Sequence, residues 1–195
     1  MQIIFVLVRP AVPENIGAAA RALKTMGFIE LRIVGTVAHR EKQARILAHA
    51  STDILDNAQE FSDLSAALAD IDFSVATSAK DRHDRRYSFS PPELRANLIG
   101  KQGAVKKVAI VFGCEESGLS NGELALCDAL SSVPLATSYP SLNLAQAVML
   151  YAYELSACAT LTENAVPESA EWAALKQRIT PLLDSLAVPD GKLRD

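Results

Sequence analysis

One stretch of the chain, residues 139–148, combines polar side chains that could bind a ligand with the start of an apolar helix. Ser141 and Asn143 lie at this junction, where the first turn of a helix leaves backbone N–H groups unpaired and able to hold a ligand. The helix is predicted for residues 149–161, and a short apolar strand is predicted for residues 130–135. Strand, polar loop and buried helix in this order are typical of a ligand site in an α/β protein.

Two other positions carry charged side chains that could take part in binding. Arg21 lies on a predicted helix among alanines, so its planar guanidinium could reach across a groove and bind phosphate through two hydrogen bonds. An ordinary surface arginine is the alternative. Glu115 and Glu116 are adjacent in a loop and point in different directions, so paired acid–base chemistry is not implied. One of them could hold backbone or a ribose, and a plain glycine-rich turn is the alternative.

Several common kinds of site have no motif in this sequence. The patterns GxGxxG after a strand, GxxxxGK[ST] and GxSxG are absent, which removes motif support for dinucleotide binding, for a P-loop and for a nucleophile elbow. His39, His49 and His83 stand far apart without metal-ligand spacing. No metal site is therefore predicted.

The elements that must position these side chains alternate between strands and helices. The apolar runs are nearly continuous, as expected for strands buried on both faces, and Asn15 and Gly27 are the predicted caps of the first helix. Ser120 and Glu123 are the predicted capping box of the helix that starts at residue 120. We predict an α/β fold with a mostly parallel open sheet and helices on both faces. Four loops should then meet at the carboxyl edge of the sheet. Strands are predicted at residues 2–9, 28–34, 73–77, 107–112 and 130–135, helices at 16–26, 40–50, 62–69, after Pro91, 120–127 and 149–161, and the four loops at 10–21, 77–87, 113–120 and 133–143.

Composition favours one globular domain inside a cell. The chain has 195 residues, of which 49% are hydrophobic, so it can bury a core; we assign residues 1–161 to one domain and 162–195 to a helical extension. The three cysteines have no CxxC spacing, so a reducing cytoplasm is predicted. The first apolar run is too short for a signal sequence, and no membrane span or membrane partner is predicted.

Charge is unevenly distributed along the chain, although the net charge is only −4. Residues 1–45 and 78–107 carry an excess of Lys and Arg, whereas residues 46–77 and 108–195 carry an excess of Asp and Glu. The basic segments could form one positive face for phosphate contacts. Chance clustering of surface charge is the alternative.

Three motifs, in this order, resemble those of the SpoU (TrmH-like) RNA 2′-O-ribose methyltransferases, a branch of the SPOUT class. The resemblance covers about residues 2–160, and the combination of three motifs makes it specific. KTMG at residues 24–27 and TSAKDR at residues 77–82 look most like the branch that methylates the tRNA anticodon loop. The three motifs are NIGAAAR at residues 15–21, FGCEESGLS at 112–120, and VP at 133–134 with SLNLAQA at 141–147.

The resemblance implies an S-adenosylmethionine-dependent enzyme that acts on RNA as a homodimer. Its fold would contain a deep trefoil knot in the C-terminal part of the sheet. tRNA is the favoured substrate. An rRNA methyltransferase and a non-catalytic knotted RNA-binding relative are the alternatives.

The resemblance also implies roles for individual residues. Arg21 would bind the target phosphate and stabilise charge on the ribose oxygen, since a group with a pKa above about 12 is a poor base. Whether it acts within its own subunit or across the dimer is left open. Cys114 departs from the family pattern, which bears on substrate details. The catalytic-motif positions are Arg21, Asn15, Ser141, Asn143 and Glu115; the cofactor pocket would be lined by Thr77, Ser78, Ala79, Gly113, Val133, Pro140, Ser141 and Leu142; RNA would be contacted by Arg82, Arg85 and Arg86.

Overall fold

The described residues form a fold built on a seven-stranded sheet, in which every pair of neighbouring strands is parallel. The structure is a computed structural model that describes residues 1–78, 88–137, 139 and 141–160. The strands are β1 (Gln2–Val8), β2 (Leu31–Val34), β3 (Gln59–Phe61), β4 (Phe73–Thr77), β5 (Ser88–Phe89), β6 (Lys107–Phe112) and β7 (Ala129–Ser131). They lie in the order β3-β2-β1-β6-β4-β7-β5. The ends of β1, β6, β4 and β7 therefore meet at one carboxyl edge.

Helices cover both faces of this sheet. They are α1 (Pro13–Thr25), α2 (Lys42–Ala48), α3 (Thr52–Asp56), α4 (Leu64–Leu68), α5 (Pro91–Gly100), α6 (Asn121–Ala125) and α7 (Leu144–Thr160), with 3-10 turns at Ala38–Arg40 and His49–Ser51. Successive side chains of β1 point to opposite faces of the sheet, as in any β-strand. Phe5 and Leu7 pack with α1, α2, α3, α5 and α7, whereas Ile4 and Val6 pack with α4 and α6. Among the described residues, none of the helices combines the length and apolarity needed to span a bilayer.

Three aromatic rings connect the central strands to α7. The rings of Phe5 and Phe112 are stacked with centroids 6.0 Å apart, and the ring of Phe112 meets that of Tyr151 edge-on at 5.5 Å. All three side chains are fully buried. This contact fixes α7 against the middle of the sheet, and α7 begins at the carboxyl edge.

A close contact between α1 and α2 depends on glycine. A Cβ atom added to Gly17 would lie 2.0 Å from the carbonyl oxygen of Ala44, far inside van der Waals contact. Ala44 and Ala48 on the facing side of α2 are also fully buried. Small side chains therefore set the distance between these helices, and with it the position of α1.

The predicted fold class is confirmed, and the strands predicted at residues 73–77 and 107–112 have the observed bounds of β4 and β6. Both strands are central and covered on both faces, which is why an uninterrupted apolar run predicts them well. The predicted capping box at Ser120 is also present at the start of α6.

Two predicted helix starts are wrong. Asn15 does not cap α1, because the helix begins at Pro13, with Val12 at the N-cap and no side-chain capping bond. Proline is well suited to the first turn, where its missing N–H costs nothing. The last helix begins at Leu144 and not at 149, since Asn143 caps it through a bond from the N–H of Ala145 to its Oδ1 (2.8 Å).

Three strands and one helix also differ from the predictions. β2 begins at Leu31, and β7 spans Ala129–Ser131, where residues 28–34 and 130–135 were predicted. β5 and α3 were not predicted at all. β5 has two residues and exists through its pairing with β7, so no local pattern marks it. The knot stays a prediction, and the extension at residues 162–195 lies outside the described residues, so its boundary at 161 stays a prediction too.

Candidate functional site

A cavity of about 630 Å³ opens at the carboxyl edge of the sheet, among the loops that follow β4, β6 and β7. Its lining brings together most of the side chains predicted to hold a cofactor. Ala79 and Pro140 lie outside the described residues, and the other six predicted residues all line the cavity: Thr77, Ser78, Gly113, Val133, Ser141 and Leu142. Three loops that are far apart in the sequence thus contribute to one site.

Tyr151 also lines the cavity, a role that was not predicted from the sequence. Its hydroxyl donates to Oγ of Ser131 (2.8 Å), and that hydroxyl donates to the carbonyl oxygen of Phe89 (2.8 Å). Burial raises the pKa of Tyr151 to about 12, against the effect of the bond with Ser131. The side chain is therefore neutral, and the pocket wall is tied to the last two strands of the sheet. Its spacing in α7 matches an ordinary core position, so only the fold could reveal its role.

The loop after β6 needs glycine for its shape. A Cβ added to Gly113 would lie 2.1 Å from the carbonyl carbon of Gly118, and Gly118 itself has a φ of 67°. The N–H of Gly118 donates to the carbonyl oxygen of Cys114 (2.9 Å) and closes the loop. The Sγ of Cys114 lies 3.0 Å from Oγ of Ser117, a contact that lowers the pKa of the thiol. The loop is thus a tight turn that lines the cavity.

Glu115 joins this turn to the start of α1. Its carboxylate accepts hydrogen bonds from the N–H groups of Ala11 (2.9 Å) and Val12 (3.3 Å) and from Nδ2 of Asn15 (2.9 Å). Burial raises the pKa of Glu115, but the three donors outweigh it and the net pKa is lower than usual. Glu115 is therefore an ionised anchor that holds backbone, as one sequence interpretation proposed, while Glu116 is exposed at the cavity.

A series of hydrogen bonds continues from Glu115 to the start of α7. Oδ1 of Asn15 accepts from Nδ2 of Asn143 (2.8 Å), and Oδ1 of Asn143 accepts from the N–H of Ala145. The N–H of Asn143 donates to Oε1 of Gln146 (3.2 Å). Three residues predicted at catalytic positions, Glu115, Asn15 and Asn143, are thus in direct contact. Ser141 is exposed and lines the cavity two residues before Asn143.

Arg21 does not join this series. Asn15 and Arg21 are six positions apart on α1, which places their side chains about 120° apart around the helix axis. Arg21 is exposed, and its guanidinium forms no hydrogen bond or ion pair with any described residue. Within one chain three of the catalytic-motif residues are therefore connected, Ser141 lines the cavity, and Arg21 lies apart. Arg82, Arg85 and Arg86, predicted to contact RNA, lie outside the described residues.

The chemistry available to this cluster is binding and orientation. Amide, hydroxyl and backbone groups border a cavity of mixed character, and no group of three His, Cys, Asp or Glu side chains in the described part of the chain could hold a metal ion. A half-buried carboxylate fixed by three donors is suited to positioning other groups. The arrangement fits a reaction in which a ligand brings its own reactive group.

Comparisons with known proteins agree on one family. The model of the SpoU rRNA Methylase family matches residues 2–153. The chain is 49% identical over 195 residues to LasT of Escherichia coli (strain K12), an uncharacterized tRNA/rRNA methyltransferase, covering 97% of this chain and 84% of LasT. It is 38% identical over 153 residues to the tRNA (cytidine-2′-O-)-methyltransferase TrmJ of Methanocaldococcus jannaschii, covering 77% of this chain and 65% of TrmJ. A solved structure of a probable methylase family protein from Haemophilus influenzae Rd KW20 has a TM-score of 0.77 at 32% identity, covering 97% of this chain and 82% of that one.

Proposed function

Because the chain belongs to the SpoU rRNA Methylase family, we propose that it is an S-adenosylmethionine-dependent RNA methyltransferase that methylates a ribose 2′-hydroxyl of tRNA. The name of the M. jannaschii relative specifies 2′-O-methylation of cytidine in tRNA, and the name of LasT covers tRNA and rRNA. 2′-O-methylcytidine in tRNA is therefore the first product to measure. The proposed place of action is the cytoplasm.

The observation that carries this proposal is the cavity beside the series Glu115–Asn15–Asn143. Glu115 lines the cavity and begins the series, and Asn143 ends it at the helix whose preceding loop also lines the cavity. A ligand in the cavity would thus lie next to the polar groups that could orient a second substrate. Two substrates held side by side are what a group-transfer reaction requires.

The cavity suits S-adenosylmethionine in size and in lining. Pockets for small ligands have volumes of roughly 300–1,000 Å³, mostly apolar walls and a few polar groups, and this one has about 630 Å³. Val133 and Leu142 supply apolar surface, and Thr77 and Ser141 supply hydroxyls. The residues proposed to hold the cofactor are Thr77, Ser78, Gly113, Val133, Ser141 and Leu142, together with Ala79 and Pro140.

When bound, S-adenosylmethionine supplies an activated methyl group for attack by the ribose oxygen. The residues of the chain then have to align the ribose, assist the loss of the proton from its 2′-hydroxyl, and stabilise the negative charge that develops on that oxygen. Asn15 and Asn143 are proposed to orient the ribose, with Glu115 fixing both amides. Ser141 is proposed to contact the cofactor and the ribose at the cavity mouth. Arg21 is proposed to bind the neighbouring phosphate and stabilise negative charge on the attacking oxygen.

Arg21 is proposed to act from the partner subunit of a homodimer. It points away from Asn15 within its own chain, and it has no partner among the described side chains, which leaves it available to a second copy. The surface proposed for that copy is the exposed side of α7 formed by Met149, Leu150 and Tyr153, large apolar side chains at helical spacing. A symmetric contact along α7 would bring the start of each α7 near the other subunit.

Tyr153→Glu is the test of this surface. Tyr153 is 66% exposed in the single chain, so a charge there should leave the fold intact but prevent burial against a second copy. Sedimentation velocity should show dimers for the natural chain and monomers for the variant. Ile46→Glu is the matched control, because Ile46 is also exposed (55%) but lies on α2. Dimers that survive Tyr153→Glu unchanged would contradict this interface.

RNA contact is proposed for Arg82, Arg85 and Arg86, which could bind phosphates beside Tyr87. Replacing the three arginines with alanine should raise the KM for tRNA. The Kd for S-adenosylmethionine should stay unchanged, because the cofactor contacts are proposed elsewhere. A changed Kd with an unchanged KM would contradict this assignment.

Nucleoside mass spectrometry of tRNA and rRNA, from cells with and without this gene, tests the function directly. The expected result is the loss of one 2′-O-methyl nucleoside from tRNA, restored when the purified chain acts on that tRNA with labelled S-adenosylmethionine. A loss from rRNA alone would reassign the substrate. Cofactor and RNA binding without any methylated product would support the non-catalytic alternative and overturn the proposal.

A further inference from the structure

The chain leaves β1 through a residue in an unusual backbone conformation. Arg9 has a φ of 47°, a left-handed value that is rare for residues other than glycine, asparagine and aspartate. Its N–H donates to the carbonyl oxygen of Val34 (2.8 Å), so the turn begins directly at the end of the sheet. The stem of its side chain lies against Gly35, where a Cβ would be 3.1 Å from Cγ of Arg9. Backbone and stem together aim the guanidinium of Arg9 across the carboxyl edge.

That guanidinium forms a two-point ion pair with Glu123 in α6. Nη1 donates to Oε1 and Nη2 donates to Oε2, the second at 3.0 Å. The Arg9 side chain is 46% exposed, but the Glu123 side chain is only 13% exposed. A carboxylate so far removed from water depends on its partner much more than one in an open surface pair. Hydrogen bonding by Arg9 lowers the pKa of Glu123 to about 2.

Glu123 also holds the end of the loop that borders the cavity. Its Oε2 accepts from the N–H of Ser120 (2.7 Å) and from the Ser120 hydroxyl (2.8 Å). Ser120 directly follows Leu119, which lines the cavity. One carboxylate thus connects the end of β1 to the end of the cavity loop.

The other end of the same loop is connected to the same segment. Glu115 accepts from the N–H groups of Ala11 and Val12, which follow Arg9 after one proline. Residues 9–12 and residues 113–123 are therefore joined twice, once through Glu115 and once through Glu123. Most of the turn that lines the cavity therefore lies between the contacts made by Glu115 and those made by Glu123.

We propose that the Arg9–Glu123 pair is a positioning clamp, which keeps residues 113–119 in the shape that binds S-adenosylmethionine and keeps Glu115 aligned with Asn15. Arg9 does not line the cavity, so it acts through the loop and not on the cofactor. Arg9 and Glu123 are thus positioning residues for methyl transfer. The clamp rests on the proposed function.

The test compares Arg9→Met, Glu123→Gln and the double variant in the full chain. Glutamine keeps an oxygen that can accept from Ser120, so α6 should stay capped while the ion pair is weakened. Each single variant is expected to raise the Kd for S-adenosylmethionine, measured by titration calorimetry, and to lower kcat by about tenfold, the scale expected when a binding loop loses its support. The double variant should be no worse than the poorer single variant, because both remove one interaction.

Arg45→Met is the matched control. Arg45 is 45% exposed and pairs with Asp56 through its two terminal guanidinium nitrogens, at 2.5 and 3.5 Å, but the pair joins α2 to α3 away from the cavity. Its Kd and kcat should equal those of the natural chain. Arg9→Lys keeps the charge without the two-point geometry and should recover part of the loss, which a simple packing defect would not predict.

The outcomes separate the clamp from the function on which it rests. Variants at Arg9 and Glu123 that melt earlier but keep the natural Kd and kcat would overturn the clamp alone. Losses that add fully in the double variant would also overturn it, since the two residues would then act independently. A natural chain that binds no S-adenosylmethionine would overturn the proposed function and the clamp with it.

Discussion

Nδ2 of Asn143 donates a hydrogen bond to Oδ1 of Asn15 at 2.8 Å, and the two residues are 128 positions apart in the chain. The orientation of both amides follows from the charge of Glu115. A carboxylate only accepts, so Asn15 must turn its Nδ2 toward Glu115 and its Oδ1 toward Asn143. Asn143 then presents its own Oδ1 to the start of α7. One ionised group therefore fixes the polar groups at the edge of the cavity.

Asn15→Ala should reduce activity far more than cofactor binding. The change leaves Asn143 without its partner and removes one donor from Glu115, which should lower kcat about a hundredfold, since small misplacements of orienting groups have effects of that size. The Kd for S-adenosylmethionine should stay close to that of the natural chain. Asn57→Ala is the control, because Asn57 also donates from Nδ2, to the carbonyl oxygen of Asp53 (2.8 Å). Equal kcat in both variants would contradict a role for Asn15.

Two inactive variants should restore activity when mixed, if Arg21 acts across a dimer. Arg21→Ala lacks the arginine, and Asn143→Ala lacks the amide, so each homodimer should be inactive. Random exchange would make half of the dimers mixed, with one complete site in each, which gives about a quarter of the natural activity. The measurement is methyl transfer after co-refolding, with two different tags to count mixed dimers. Mixed dimers without activity would place Arg21 in the same subunit as Asn143.

Gly17→Ala should destabilise the fold. The new Cβ would lie 2.0 Å from the carbonyl oxygen of Ala44, so α1 and α2 would have to separate. Overpacking of this kind costs about 1–3 kcal/mol, measurable as a lower free energy of unfolding in urea. Gly100→Ala is the control, because Gly100 ends α5 and a Cβ added there would meet no heavy atom of the described residues within 4 Å. An unchanged free energy of unfolding in Gly17→Ala would show that the helices are not in close contact.

Stability should fall on mild acidification because of His39. The side chain is buried; burial lowers its pKa, and this effect outweighs the attraction of Glu60, whose Oε1 lies 3.0 Å from Nε2. The unfolded chain therefore binds this proton first, and stability present at about pH 7.5 decreases as the pH falls below about 6.5. Nearby Arg40, which also pairs with Glu60, disfavours the charged form further.

The check is the urea midpoint at about pH 7.5 and at about pH 5.5. His39→Asn should lose less stability between the two values than the natural chain. His49→Asn is the control, since His49 is exposed and has a positive φ of 48° that asparagine tolerates. The same pH dependence in all three proteins would exclude His39 as the cause.

The sequence predicts the parts of this fold that are decided locally. β4 and β6 were predicted to the residue because both are central, and the capping box at Ser120 was predicted because its two partners are three positions apart. Asn15 shows the limit. An asparagine before an apolar helical segment predicts an N-cap, but the side chain of Asn15 instead donates a hydrogen bond to Glu115, 100 positions away. No local pattern contains that partner.

The candidate site likewise contains residues that could be predicted from sequence motifs and residues that could not. Six of the predicted cofactor residues do line one cavity, since motifs mark the loops that end at the carboxyl edge. Tyr151 and Leu124 also line it, but their spacing within helices is that of ordinary core residues. The Arg9–Glu123 pair joins two segments 114 positions apart, and each residue alone resembles surface charge.

The central place of β1 has a consequence for the newly made chain. β1 precedes the other described strands in the chain, but its second neighbour, β6, is complete only when residue 112 has been added. Until then one edge of this strand, which is apolar from Ile3 to Val8, has unpaired backbone groups that can pair with strands of other chains. Ribosome-bound fragments that end before β6 should therefore bind chaperones and aggregate, and release from chaperones should coincide with the pairing of β1 and β6.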